Sequence, residues 1–287
     1  MKRRSYNDLH VYQLRMIKWM LTNDKCALWA GVGLGKTVTT LTAISELRKD
    51  KSITKTLVIA PLRVAKYVWS QEIAKWDHLK HLKCTVLHGT ANKRKELLLD
   101  DAPIHVINKE LVQWLVTEMA SNKKWSYDCV VLDESSAFKN PQSKRLKHLK
   151  MANHKIKRMI QLTGTPASNG LLDIWSQMFL LDNGERLGRT FSSYKNTYFD
   201  SDYMGYNWTL KEGSKEDIYL KIADKCLTMN KEDYLELPKC TKNVISLTME
   251  GDFLKQYKEL EKEFCLVLQD EAITAQQSAV LSNKLLQ

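Results

Sequence analysis

The residues Ala30-Gly31-Val32-Gly33-Leu34-Gly35-Lys36-Thr37 constrain the fold of this chain more than any other stretch. They fit A/G-x-x-x-x-G-K-T, a phosphate-binding loop that works only between a buried strand and a helix. Both flanks have that character. Cys26-Ala27-Leu28-Trp29-Ala30 is an apolar run of strand length, and Val38, Leu41, Ile44 and Leu47 recur at near-helical spacing. Gly33 and Gly35 let backbone N–H groups turn inward and approach phosphate oxygens closely. A helix starting near Lys36 aims its positive end at the same anion. The pattern assigns Lys36 to the β- and γ-phosphates of a nucleotide and Thr37 to Mg2+.

Further apolar runs predict more buried strands at 56–61, 84–89, 103–108, 127–133 and 159–163, most of them followed by a helical pattern. Strands alternating with helices predict an α/β fold with a mostly parallel sheet. Such sheets bind ligands at the carboxyl ends of their strands. Asp133 and Glu134 end an apolar strand at that edge. Asp133 is placed to hold the Mg2+ shell, and Glu134 to orient or deprotonate an attacking water. Thr163 and Thr165 flank a glycine at another strand tip, where hydroxyls can bridge the carboxylates to a ligand above the sheet. Arg63 and Lys66 follow the 56–61 strand and can reach nucleic-acid phosphates. Val64, Tyr67, Val68, Ile73 and Trp76 are the apolar set of the helix there. Upstream, Leu9, Tyr12, Met16, Trp19 and Met20 share one helical face, with Gln13 off it. A carboxamide both donates and accepts, so Gln13 beside the loop can read an adenine edge.

Lys and Arg number 44 against 33 Asp and Glu, a net charge of +11 that points to a polyanionic partner. Eight of the basic residues fall between 139 and 158, a run whose usual meaning is a solvated face. No two of the six cysteines are spaced as a C-x-x-C metal or redox pair, which favours a reducing, intracellular compartment. The first residues lack the apolar core of a signal peptide, and no apolar run is long enough to span a bilayer. Tyr194, Tyr198, Phe199, Tyr203, Tyr206 and Trp208 make an aromatic stretch, expected to pack rather than to stack on bases.

Read in order, Tyr12-Gln13, Gly33-Leu34-Gly35-Lys36-Thr37, Leu57-Val58-Ile59-Ala60-Pro61-Leu62, Asp133-Glu134, Phe138-Lys139-Asn140 and Leu162-Thr163-Gly164-Thr165-Pro166 resemble the motif series of superfamily-two helicases. They look most like the Swi/Snf family of DNA-dependent ATPases. Leu171-Leu172-Asp173-Ile174-Trp175 is similar to a helix typical of that family. Phe138 replaces its usual Leu, Ser135-Ser136 its Ala-His or Gly-His, and His10-Val11 its basic-Pro pair. The compact size resembles phage or prokaryotic members.

The resemblance implies a RecA-like lobe over residues 1–182 and a helical, aromatic extension over 183–287 with a returning strand near 243–249. It implies ATP and Mg2+ as ligands. Gln13 would read adenine, and Gly33, Gly35, Lys36 and Thr37 would bind phosphate and metal. Asp133 and Glu134 would serve metal and water, and Thr163 and Thr165 would couple the nucleotide to DNA. It further implies movement on double-stranded DNA, a second RecA-like lobe beyond Gln287, no membrane, and the cytoplasm of a bacterial or phage-infected cell. A chain without that second lobe is expected to hydrolyse ATP poorly. Two other readings stay open: a nucleic-acid-binding module with a vestigial ATP site, and a P-loop ATPase with another substrate.

Overall fold

The apolar runs become adjacent strands of one parallel sheet. A computed structural model describes residues 3–121, 125–204 and 207–234, with 251, 254, 255, 257 and 258 beyond them. The strands are β1 (Lys25–Ala30), β2 (Thr56–Ala60), β3 (Cys84–Leu87), β4 (Ile104–Asn108), β5 (Cys129–Asp133) and β6 (Arg158–Thr163). An antiparallel hairpin, β7 (Phe199–Ser201) and β8 (Trp208–Leu210), stands outside the sheet. The chain then returns to the sheet as β9 (Cys226–Met229), which pairs in parallel with β1. The sheet order is β3-β4-β2-β5-β6-β1-β9. The chain divides into two compact units, Met1–Glu236 and Leu237–Gln287, and all these strands belong to the first. The sheet thus continues past residue 182, the end expected from sequence. Its last strand, Cys-Leu-Thr-Met, is too short to carry a readable period. The expected strand near 243–249 lies outside the described residues.

Side-chain alternation divides the interior into two cores, one on each face of the sheet. Cys26, Leu28 and Ala30 of β1 point to one face, where α1 (Val11–Thr22), α2 (Lys36–Lys49) and α3 (Trp69–Lys75) pack. Ala27 and Trp29 point to the other. There α5 (Val112–Ser121), α6 (Lys144–Ala152), α7 (Ile174–Asp182), α8 (Phe191–Tyr198) and α9 (Ser214–Ile222) cover the sheet. The remaining helix, α4 (Ala91–Leu98), buries none of its residues. Tyr194, Tyr198 and Phe199 join the second core, whereas Tyr203 is exposed. Cys26 and Cys129 are buried, free thiols, each pushed up to about 12 by burial, and serve as small apolar residues.

Two expectations about faces need correction. Gln13 lies on the buried face of α1 with Tyr12, Met16, Ile17 and Met20. Tyr67 and Val68 are exposed, and Ala65 and Trp69 take the inward positions. Ala65 and Trp69 share the inward face of Ile73 and Trp76 at ordinary helical spacing, and a π-helical turn over Val64–Val68 precedes α3.

Candidate active site

Three strand ends that are distant in sequence lie side by side in the order β5-β6-β1. The phosphate loop leaves β1, the acid pair ends β5, and the threonine turn follows β6. Gly33 and Gly35 have positive φ, 94° and 78°, which a side chain would strain. Gly35 caps α2, and a Cβ added to it would overlap the Gln13 amide. Lys36 opens α2, and its Nζ donates to the carbonyls of Ala30 at 2.7 Å and Gly31 at 3.2 Å. Burial lowers the pKa of Lys36, while Asp133 and Glu134 raise it again. The ammonium and both carboxylates therefore share one edge of the sheet. Thr37 is half-buried on the first turn of α2.

Asp133 ends β5, and its Oδ2 accepts a hydrogen bond from Trp69 Nε1 at 3.0 Å. Burial raises its pKa against the opposing pull of the Trp69 bond and of Lys36. Glu134 sits in the left-handed region, with φ 63°, an uncommon conformation for a non-glycine residue. Its Oε1 accepts from Thr163 Oγ1 and from Ser136 Oγ, each at 2.6 Å. Thr163 Oγ1 in turn accepts from the Thr165 N–H at 3.1 Å. Glu134 and the threonine turn thus form one hydrogen-bonded unit.

Gln13 has its amide engaged at both ends. Nε2 donates to Leu34 O at 3.2 Å, and Oε1 accepts from the His10 N–H at 2.9 Å. It ties α1 to the phosphate loop. Arg63 and Lys66 stand apart, beyond the carboxyl end of β2; Arg63 is exposed and Lys66 half-buried. Lys66 lines a cavity of about 270 Å³ together with Leu62, His88, Gly89 and Asn108, at the β3-β4-β2 end of the same edge.

Among the described residues, no three His, Cys, Asp or Glu gather as a metal cage. One hydroxyl, Thr37, and one carboxylate, Asp133, suit Mg2+, which prefers few protein ligands and shares its shell with water and phosphates.

The model of the SNF2-related domain matches residues 12–287. The chain belongs to the SNF2-related family. Protein p41 of Acyrthosiphon pisum secondary endosymbiont phage 1 is 34% identical over 287 residues, covering 96% of this chain and 62% of that protein. The ATP-dependent DNA helicase DDM1 of Arabidopsis thaliana is 30% identical, covering 88% of this chain and 34% of that protein. This SNF2-related chain therefore spans less than two thirds of the length of either relative. Among solved structures, the Sulfolobus solfataricus SWI2/SNF2 ATPase core in complex with dsDNA matches with a TM-score of 0.65 and 27% identity. That match covers 97% of this chain and 57% of the other. The fold is the RecA-like fold of these cores.

The SNF2-related site also contains residues that sequence reasoning passed over. Trp69 lies one helical turn before Ile73 on the same face, which was the available signal. Ser135 Oγ donates to Gln177 Oε1 at 2.7 Å, and Gln177 Nε2 donates to Pro166 O at 2.8 Å. Gln177 thereby joins the acid-bearing turn to the threonine turn. A glutamine inside an apolar helix was the available signal, because a buried amide needs such partners.

Proposed function

We propose that this chain is the ATP-binding lobe of a DNA-dependent ATPase that moves on double-stranded DNA and works with a second RecA-like lobe following Gln287. The observation that carries this reading is the meeting of Lys36 with Asp133 and Glu134 beside a glycine loop at one sheet edge. In this scheme the loop N–H groups and the α2 N-terminus bind phosphate oxygens. Lys36 exchanges the carbonyls of Ala30 and Gly31 for the β- and γ-phosphates. Thr37 and Asp133 hold Mg2+, which when bound neutralises charge building on the phosphates. Glu134 orients the attacking water and takes its proton, with Thr163 and Ser136 fixing its Oε1. Gln13 holds the loop to α1 and reads the base from there.

The net charge of +11 and the exposed Arg63 near Lys66 support a polyanion at the β2 end of the edge. The similar Sulfolobus core is in complex with dsDNA, which supports duplex DNA as that polyanion. Thr163 and Thr165 carry the signal between the two sites. The phage relative supports work in the cytoplasm of an infected bacterial cell.

The test is ATP turnover with duplex DNA, single-stranded DNA, RNA and no nucleic acid, in this chain and in a longer protein carrying the second lobe. Duplex-stimulated turnover that requires the longer protein and disappears in Lys36→Ala is expected. Activity that survives Lys36→Ala, or that no nucleic acid alters, refutes the assignment.

A further inference from the structure

Trp69 lies outside every motif that pointed to this site, yet its indole reaches the acid pair. The side chain is fully buried, and Nε1 donates to Asp133 Oδ2 at 3.0 Å. A need to satisfy a buried N–H does not by itself explain the bond. The buried indole nitrogens of Trp19 and Trp29 have no hydrogen-bond partner in the structure. The backbone leading to Trp69 is irregular in a way that matters. A π-helical turn over Val64–Val68 stands just before Trp69, and turns of this kind recur at functional sites. Tyr67 and Val68 face solvent, while Trp69, Ile73 and Trp76 face inward.

We propose that Trp69 is a positioning residue for the metal-binding carboxylate: its indole N–H holds one oxygen of Asp133 and leaves the other for the Mg2+ of a bound nucleotide. This inference rests on the nucleotide-site reading above. A carboxylate at a strand tip turns about two side-chain torsions. Fixing one oxygen in advance reduces the ordering that metal binding would otherwise demand. Partners that orient metal ligands in this way typically change metal affinity about 10- to 100-fold. Trp69 touches neither phosphate nor water in this scheme and acts only through Asp133.

The decisive variant replaces Trp69 with 3-benzothienylalanine, which puts sulfur where the N–H was and keeps the ring size. Trp69→Phe is made beside it. Binding of the fluorescent analogue mant-ATP is measured across a Mg2+ titration and in EDTA, with thermal unfolding of each protein. The Mg2+ concentration for half-maximal binding is expected to rise about 10-fold in the isosteric variant, with mant-ATP affinity in EDTA and the melting temperature unchanged. An unchanged Mg2+ midpoint overturns the proposal. So does an equal loss of affinity with and without Mg2+, which would assign Trp69 to packing alone. Lys36→Ala separates this failure from a deeper one. If it binds mant-ATP as well as the parent does, the nucleotide site itself is misassigned and the proposal falls with it.

Discussion

Glu134 concentrates the chemistry of the site in one side chain. Its backbone is held in the left-handed region, and two hydroxyls fix one of its oxygens. Both features describe a carboxylate held in one orientation rather than a solvated one. Glu134→Gln keeps the shape and the acceptor oxygen but cannot take a proton. It is expected to leave nucleotide binding intact and to slow hydrolysis about 10²- to 10⁴-fold, read from equilibrium binding beside single-turnover hydrolysis. A second residue-scale prediction concerns stability. His105 is fully buried; its Nδ1 accepts from Tyr127 OH at 2.8 Å and its Nε2–H donates to Asp100 O at 3.1 Å. Burial, with help from Lys55, lowers its pKa to about 4. The unfolded chain binds that proton near pH 6.5, so between pH 6.5 and 4 unfolding takes up a proton that the native state refuses. Stability should fall as pH drops through this window, by about 3 kcal/mol at its lower end. Urea unfolding of His105→Gln should show a flatter pH dependence than the parent over the same range.

Gly35 is where loop, helix and a neighbouring helix meet. It caps α2 with φ 78°, and the Gln13 amide of α1 fills the space a Cβ would need. Gly35→Ala therefore combines backbone strain with a clash. It should cost about 1–3 kcal/mol of stability, seen as a lower urea midpoint, and weaken mant-ATP binding as the loop is displaced. The same junction explains why Gln13 is buried. On α1 it serves the loop first, closing on Leu34 O. In the α3 region Tyr67 and Val68 face solvent, and Trp69 faces inward with Ile73 and Trp76. Trp69, Ile73 and Trp76 keep helical spacing, and packing against the sheet decided that theirs is the covered face.

Across the whole lobe, the parallel sheet holds Lys36, Asp133, Glu134 and Thr163 at the tips of β5, β6 and β1, and Arg63 and Lys66 follow the neighbouring β2. Three of the eight basic residues at 139–158 are engaged within the protein. Lys139 pairs with Asp173 at 3.0 Å, Arg158 with Asp24 at 2.9 Å, and Lys150 sits 3.6 Å above the Phe179 ring. Net charge alone is thus a weak guide to where a polyanion binds. If duplex DNA contacts the β2 end, log affinity should fall linearly with log salt, by about 0.9 for each phosphate neutralised. Arg63→Ala should lower that slope by about one and weaken binding equally across sequences, as a titration at several salt concentrations would reveal. An unchanged slope moves the contact elsewhere.

The sequence by itself determined the chemistry and the layering. A glycine loop with Lys36 and Thr37, two acids after an apolar strand, and strands alternating with helical patterns already specify an α/β sheet and the residue types of the site. Those signals are local: each depends on a few neighbouring residues and a short period. Tertiary structure decided which strand ends stand together. The order β3-β4-β2-β5-β6-β1-β9 is not the chain order, so the meeting of Lys36, Glu134 and Thr163 is a property of strand pairing. It also decided the roles of Trp69 and Gln177, whose partners lie 64 and 42 residues away. Hydrogen bonds over such separations are made by packing and leave no periodic trace in the chain.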